Sequence, residues 1–559
     1  MVTIDGSAVR VETRTQSATF DRGFLTRLVS KLDGSVPINA TDLPASPLQL
    51  VYAGQGSVDV LGALAGEVMA LPLSPTRAEV RLRGWDADGL LAISEDEATG
   101  DILVEPSAYS SRPGVLSVRW LMPGIARETA LVAPFFQGVR LPLADPLLQR
   151  RWFWPQFWEA GLAIFQGAGG GFWVHCRDDR YRYKALNIEA GVPGFETEAP
   201  GPAPTNLGAG GLAWRIAPYA GDWTVPASAY RAWLWEAYDL ERAEAARRAW
   251  VGDVRLAVSW FGGDEDILAA IAERIEPRRV LIHYANWRTD AYDENYPTYE
   301  ASAHARELIG RATARGFHIM PHCNSVDMDP THPVYPYVRD FQYRDVQTGR
   351  LLGWGWDPEQ GRVLGVPNSY GALAQNRRRK VMVKVHPGLA MWRSILAENV
   401  RRAVRDVGTD AVFLDVTLCS HNIHNCLVEG STPTEGMNRI IRSIAEMDDG
   451  LAVGGEGLNE ITMQWQSFAQ AHLFLSWHDS IEGLERSGGC PLNAFLFGRL
   501  CRTFGYSRLS GATEDEELRM RIHESLGAIP TITVRSADEI RHPNAAVQRQ
   551  FDLAQEACA

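Results

Sequence analysis

Two acidic residues stand where chemistry is easiest to place. Asp415 closes the apolar run Val412-Phe413-Leu414, and Glu456 lies inside Gly454-Gly455-Glu456-Gly457. A carboxylate at the end of an apolar segment is costly to bury without a partner or a role. Glycines around such a residue let other groups approach the backbone closely. The two acids are separated by one strand–helix repeat, so they would stand on neighbouring parallel strands about 4.8 Å apart. Their carboxyls could then approach to about 5–5.5 Å, the separation at which one carboxylate attacks a glycosidic carbon while the other protonates the leaving oxygen. Mutual repulsion would raise the proton affinity of one member. Chain order assigns Asp415 as nucleophile and Glu456 as general acid/base, with reversal of the two roles left open.

Other polar and aromatic residues fall at the ends of apolar runs and are candidates for binding a polar substrate. They are Asp293, His322, Asn324, His386, His424, His478 and Asp479, with Trp287 and Trp356 as flat faces on which a sugar ring could stack. Taken singly, each histidine or tryptophan reads equally well as a core residue. Cys419, His421, His424 and Cys426 place four metal-ligand types just after Asp415. Their C-x-H-x₂-H-x-C spacing is not a usual zinc pattern, so the segment reads better as a substrate-contacting loop. H-E-x-x-H, G-x-S-x-G, G-x-G-x-x-G and P-loop signatures are all missing from the sequence. No metal and no cofactor are expected.

The elements that must position these residues change character near residue 250. The first part is rich in Gly and Pro and in short alternating segments such as Val9–Thr13, Ala78–Leu82 and Val115–Trp120. Period-two alternation bounded by turn residues predicts antiparallel strands and, in such number, a β-sandwich over 1–226. Residues 227–252 are full of helix formers and read as a helical linker. From 253 to 559 apolar strands alternate with helices, as in a parallel sheet covered by helices. Strands are predicted at 279–287, 316–323, 380–386, 410–416, 451–455, 471–477 and 529–534, with an insertion at about 324–379. The length suits one (β/α)₈ barrel, which places active groups at the C-terminal ends of its strands.

The chain has 559 residues, with 55 Lys and Arg against 68 Asp and Glu, a formal net charge of −13. That acidity argues against a nucleic-acid partner. No apolar stretch approaches the length of a membrane helix, and no secretory leader is visible. Seven cysteines without a C-x-x-C pair read as reduced thiols in a cytoplasmic protein. The expected partner is a carbohydrate; a homo-oligomer is left open.

The segment 392–415, WRSILAENVRRAVRDVGTDAVFLD, resembles the helix and nucleophile strand of α-galactosidase-related barrels, and NWRTDAYDENYPTY (286–299) resembles their first-strand loop. Asp at the end of strand four with Glu at the end of strand five resembles the retaining α-glycosidases of the α-amylase type and the endo-α-N-acetylgalactosaminidase group. The N-terminal part resembles the galactose-mutarotase-like supersandwich. The resemblance implies a retaining glycoside hydrolase acting on α-linked glycosides or short oligosaccharides of galactoside or glucoside type, with Asp293 gripping sugar hydroxyls. The α-galactosidases proper carry their second carboxylate after strand six, where this chain has Asp479, which therefore competes with Glu456 for the acid/base role. The alternatives are a β-glycosidase on the same barrel, a metal-dependent barrel hydrolase and a non-catalytic sugar-binding protein.

Overall fold

The computed structural model describes residues 1–61, 66–84, 87–349, 351–356, 380–418, 422, 427–447, 451–471, 490–505 and 516–558. The chain forms two compact units, residues 1–237 with 346–349, and residues 238–345 with 350–559. In the first unit three antiparallel sheets of five, ten and six strands form a sandwich-like β-domain. Its strands alternate as the sequence predicts: Arg77–Arg83 shows its apolar Ala78, Val80 and Leu82 buried and its charged residues at or near the surface. The expected linker is two helices. Thr224–Ala237 belongs to the first unit and Leu240–Ala246 to the second.

The second unit is a nearly closed eight-stranded parallel barrel. Its strands are β1 (Leu256–Phe261), β2 (Val280–Tyr284), β3 (His318–Asn324), β4 (Ala411–Asp415), β5 (Ala452–Glu456), β6 (Phe468–Ala471), β7 (Arg502–Gly505) and β8 (Thr531–Ile532). β8 pairs with β1, and the Ile529 N–H donates to the Thr503 carbonyl at 2.8 Å, which joins the two ends of the sheet. Ala257, Leu281, Met320, Phe413, Ala452, Phe468 and Phe504, one from each of seven strands, pack in an apolar cluster of their own, as a filled barrel interior requires. A larger cluster holds the other strand faces and the helices together.

Three strand assignments change. Leu256–Phe261 and Arg502–Gly505, both unassigned from sequence, are the first and seventh strands. Lys380–Lys384, expected as the third, instead pairs antiparallel with Asp327–Met328 and Gly353–Trp356 in a small separate sheet. The run KVMVK carries three consecutive apolar residues, as a buried stave would, so only its pairing partners separate it from the barrel. The gain of Leu256–Phe261 and the loss of Lys380–Lys384 compensate, so Asp415 and Glu456 still end strands four and five. β6 spans 468–471, three residues before the predicted start of 471.

Helix boundaries follow local chemistry. Ser302 caps Ala303–Ala314 by accepting the Ala305 N–H, and Thr432 caps Pro433–Ala445 by accepting the Glu435 N–H. Ala390–Val407 ends at Gly408 in a left-handed conformation, φ 68°. That helix buries Trp392, whose Nε1–H donates to the Ser325 carbonyl at 3.0 Å. Ser325 in turn holds the backbone carbonyl of Asp415 twice, through its N–H (3.1 Å) and its hydroxyl (2.7 Å).

Candidate active site

The register puts Asn324, Asp415, Glu456 and Gln470 at one level of adjacent strands, the C-terminal rim of the barrel. Glycine makes that rim tight on the β5 side. A Cβ on Gly454 would lie 2.4 Å from Sδ of Met320, and one on Gly455 would lie 2.6 Å from Nε2 of Gln466. Asp415 and Glu456 are both buried, at 7% and 9% exposure. The two carboxyls are near enough for Glu456 to raise the proton affinity of Asp415 by its charge and by hydrogen bonding.

The backbone between them is unusual. Val416, immediately after Asp415, has φ 66°, a region that β-branched residues avoid. This turn aims its N–H at Oε2 of Glu456, 3.0 Å away, and the next residue's hydroxyl, on Thr417, donates to the Glu456 carbonyl. The loop after Asp415 is thus stitched to strand β5 at the second carboxylate.

Burial, then the neighbouring Glu456 carboxyl and then Asp327, raise Asp415 well above the usual carboxylate range. The pair therefore keeps one proton under conditions where isolated carboxyls would both be ionised. Two groups meet at Oδ2 of Asp415: the Tyr292 hydroxyl donates to it at 3.1 Å, and Nε2 of His322 stands 3.4 Å away. His322 is buried and held neutral; burial pushes it down to about 3, with Arg288 adding to the effect. Its Nδ1 lies 3.0 Å from Nε2 of His283, which is also buried and neutral. Trp260 lines the same place, its ring 5.6 Å from that of His322 and 5.9 Å from that of Tyr292.

The loop after β2 carries Tyr292. Arg288 organises it by donating to the carbonyls of Ala291, Glu294 and Thr298 while lying 4.4 Å over the Tyr296 ring. Asp293 is buried in this loop, φ 61°, within electrostatic reach of Tyr296. Tyr296 is itself fully buried, and its hydroxyl is raised well above its ordinary value chiefly by burial.

The structure thus gathers Asp415, Glu456, His322 and the Asp293 loop. Three expected contacts are corrected. Trp287 has no exposed surface, and its Nε1–H donates to the His322 carbonyl at 2.8 Å, so it packs in the core under His322 and offers no stacking face. The Asn324 side chain is consumed by a turn: Oδ1 accepts the N–H groups of Val326 and Asp327, and Nδ2 donates to Asp327. His386 follows the small sheet rather than a barrel strand, and its Nδ1 accepts the Gly388 N–H at 2.9 Å. Trp356 ends the Gly353–Trp356 strand, paired with Lys380. His424, His478 and Asp479 lie outside the described residues, as do Cys419, His421 and Cys426. Among the described residues no group of three or more His, Cys, Asp or Glu is placed to hold a metal ion.

Trp260, Tyr292, His283 and Gln470 were not singled out from the sequence. The signal for the first was the run Leu256–Phe261, LAVSWF, whose apolar start and Ser-Trp end have the form of a barrel strand with a functional tip.

Residues 212–507 match the family described as Domain of unknown function (DUF6259). No curated protein matches the sequence. Among solved structures, the chain is similar to the alpha-N-acetylgalactosaminidase NagBb from Bifidobacterium bifidum. In its Gal-NHAc-DNJ complex the identity is 14%, the match covers 98% of this chain and 92% of that one, and the TM-score is 0.69. Its GalNAc complex matches with the same identity and coverage and a TM-score of 0.67. A GH31 family sulfoquinovosidase from E. rectale matches at 11% identity over 99% of this chain and 81% of that one, with a TM-score of 0.53. These likenesses show that the two-unit fold is one that glycoside hydrolases use.

Proposed function

This chain belongs to the DUF6259 family, and we propose that it is a retaining glycoside hydrolase acting on α-linked glycosides or short oligosaccharides of galactoside or glucoside type. The observation that carries the reading is the buried, electrostatically coupled pair of Asp415 and Glu456 on adjacent strand ends, with the Tyr292 hydroxyl donating to one oxygen of Asp415 and His322 beside it. In the free protein the shared proton is favoured on Asp415, which burial and Glu456 raise. The order of the two acids along the chain assigns Asp415 as nucleophile and Glu456 as acid, so the proton passes to Glu456 when substrate binds. The choice of the α-anomer draws on the resemblance to α-glycosidases and on the NagBb likeness, an enzyme named for α-N-acetylgalactosaminide cleavage.

In the first step Asp415 attacks the anomeric carbon, the glycosidic C–O bond breaks, and the Glu456 proton passes to the leaving oxygen. The longer Glu456 side chain must swing away from Asp415 to admit that oxygen. In the second step Glu456, now ionised, takes a proton from water, whose oxygen attacks the same carbon and releases Asp415.

The test is a panel of nitrophenyl glycosides of both anomers, with the product anomer read by NMR. Hydrolysis of an α-glycoside with retention is expected. Asp415→Ala should abolish it, and Glu456→Ala should harm poor leaving groups more than activated ones. Turnover of β-glycosides alone, or an inverted product, would remove the reading.

A further inference from the structure

Behind the nucleophile lies a line of hydrogen bonds whose direction is dictated at its far end. Strand β1 loses register with β2 between Val258 and Phe261, and at this irregularity Trp260 takes φ 57°. The bulge turns the Trp260 N–H inward, onto Nδ1 of His283 at 3.3 Å. A backbone N–H can only donate. Nδ1 of His283 is therefore an acceptor, and the side-chain amide of Gln470, with Nε2 at 3.4 Å, faces the same nitrogen. Gln470 is anchored in turn on the Ser259 hydroxyl.

A neutral imidazole that accepts at one nitrogen carries its proton on the other. His283 thus donates from Nε2 to Nδ1 of His322 across 3.0 Å. The same rule then puts the His322 proton on Nε2. That nitrogen is buried, makes no well-aligned hydrogen bond, and stands 3.4 Å from Oδ2 of Asp415. Hydrogen bonds to catalytic groups that are long in the free enzyme often tighten in the substrate complex.

We propose that His283, which touches no reacting atom, is a positioning residue that fixes the proton of His322 on Nε2, so that His322 holds Oδ2 of Asp415 and leaves Oδ1 to attack. The inference deepens the reading of Asp415 as nucleophile and rests on it. Its physical content, the direction of the hydrogen-bond line, stands apart from any activity. The ring of Phe413, 4.3 Å from that of His283 and 5.2 Å from that of His322, packs beside both imidazoles in the barrel interior. Were the tautomer reversed, a lone pair on Nε2 would face a carboxylate oxygen and push it away.

Three variants separate direction from packing. In His283→Gln the amide N–H occupies the place of Nε2 and still donates to His322. His283→Glu puts an acceptor there and draws the His322 proton to Nδ1. His283→Leu removes the partner. The first readout is histidine-selective ¹⁵N NMR of the full chain, whose 13 histidines are assigned by single substitution. His322 should be protonated at Nε2 in the wild type and in His283→Gln, and protonated at Nδ1 in His283→Glu. The second readout is kinetic: kcat should fall about tenfold to a hundredfold in His283→Glu and His283→Leu, the range set by one hydrogen bond to a charged group, with KM little changed and with substantial recovery in His283→Gln. An Nδ1–H tautomer of His322 in the wild type would overturn the proposal, and so would equal loss of kcat in the Gln and Glu variants. Absence of glycoside turnover in the wild type would remove the functional reading, and the NMR result would then decide the hydrogen-bond line alone.

Discussion

The proton shared by Asp415 and Glu456 has a thermodynamic signature. The perturbation is Asp415→Asn, which keeps the shape of the side chain and removes its charge. In the wild type burial and Glu456 hold the folded-state pKa of Asp415 well above its ordinary value. Between the ordinary carboxylate range and that raised value the folded protein keeps a proton that the unfolded chain has lost. The stabilising contribution is therefore complete below the unfolded pKa and is lost as pH rises through the folded one. One proton corresponds to a slope of about −1.4 kcal/mol per pH unit in that window. Asp415→Asn removes the slope. Its amide still meets the Tyr292 hydroxyl and His322, so the direct cost is pH-independent and about 1 kcal/mol. The assay is urea unfolding of the two proteins at half-unit steps from pH 4 to 8. The difference variant minus wild type cancels the many other carboxylates. It should rise with pH, and the variant should be the more stable protein at the alkaline end. A flat difference would mean that the two carboxyls do not share a proton. A difference that falls with pH would mean that Asp415 is stabilised as an anion by its surroundings, and would refute the argument.

Tyr292→Phe removes the 3.1 Å hydrogen bond to Oδ2 of Asp415; kcat should drop by about tenfold or more with KM nearly constant, measured by steady-state kinetics on an activated glycoside. Trp287→Ala tests a core role against a stacking role: with the side chain fully buried, it should cost about 3–5 kcal/mol of stability in denaturant melts. Gly454→Ala places a methyl 2.4 Å from Sδ of Met320, an overpacking expected to cost about 1–3 kcal/mol. Lys384→Met leaves Asp327 buried with its 2.8 Å partner gone and should cost about 3–5 kcal/mol; restored stability on adding Asp327→Asn would identify the uncompensated charge as the cause.

Much of the fold was readable because binary patterning differs between the two units. Alternation in Arg77–Arg83 and continuous apolarity in Ala411–Leu414 each have one structural meaning. The acid pair was readable for the same reason, as polar ends on apolar strands. What the sequence concealed depends on contacts at long range. KVMVK is apolar enough to pass for a stave, and only its pairing with Asp327–Met328 and Gly353–Trp356 reveals the small sheet. Trp287 and Asn324 occupy strand-end positions suited to binding, yet their polar atoms are taken by backbone groups. His283 sits mid-strand among apolar residues, where nothing local distinguishes a core histidine from one that directs a hydrogen-bond line. Its role appears only once β1 supplies an inward N–H through a bulge.

The central claim is that Asp415 forms a bond to the sugar. Incubating the protein with a fluorinated α-glycosyl fluoride, which slows release of a covalent intermediate, and digesting it for mass spectrometry tests that claim at the atom concerned. A mass increase of one glycosyl unit is expected on the peptide carrying Asp415, and none in Asp415→Ala. A label on the Glu456 peptide, or turnover of the same compound with inversion and no labelled peptide, would contradict it.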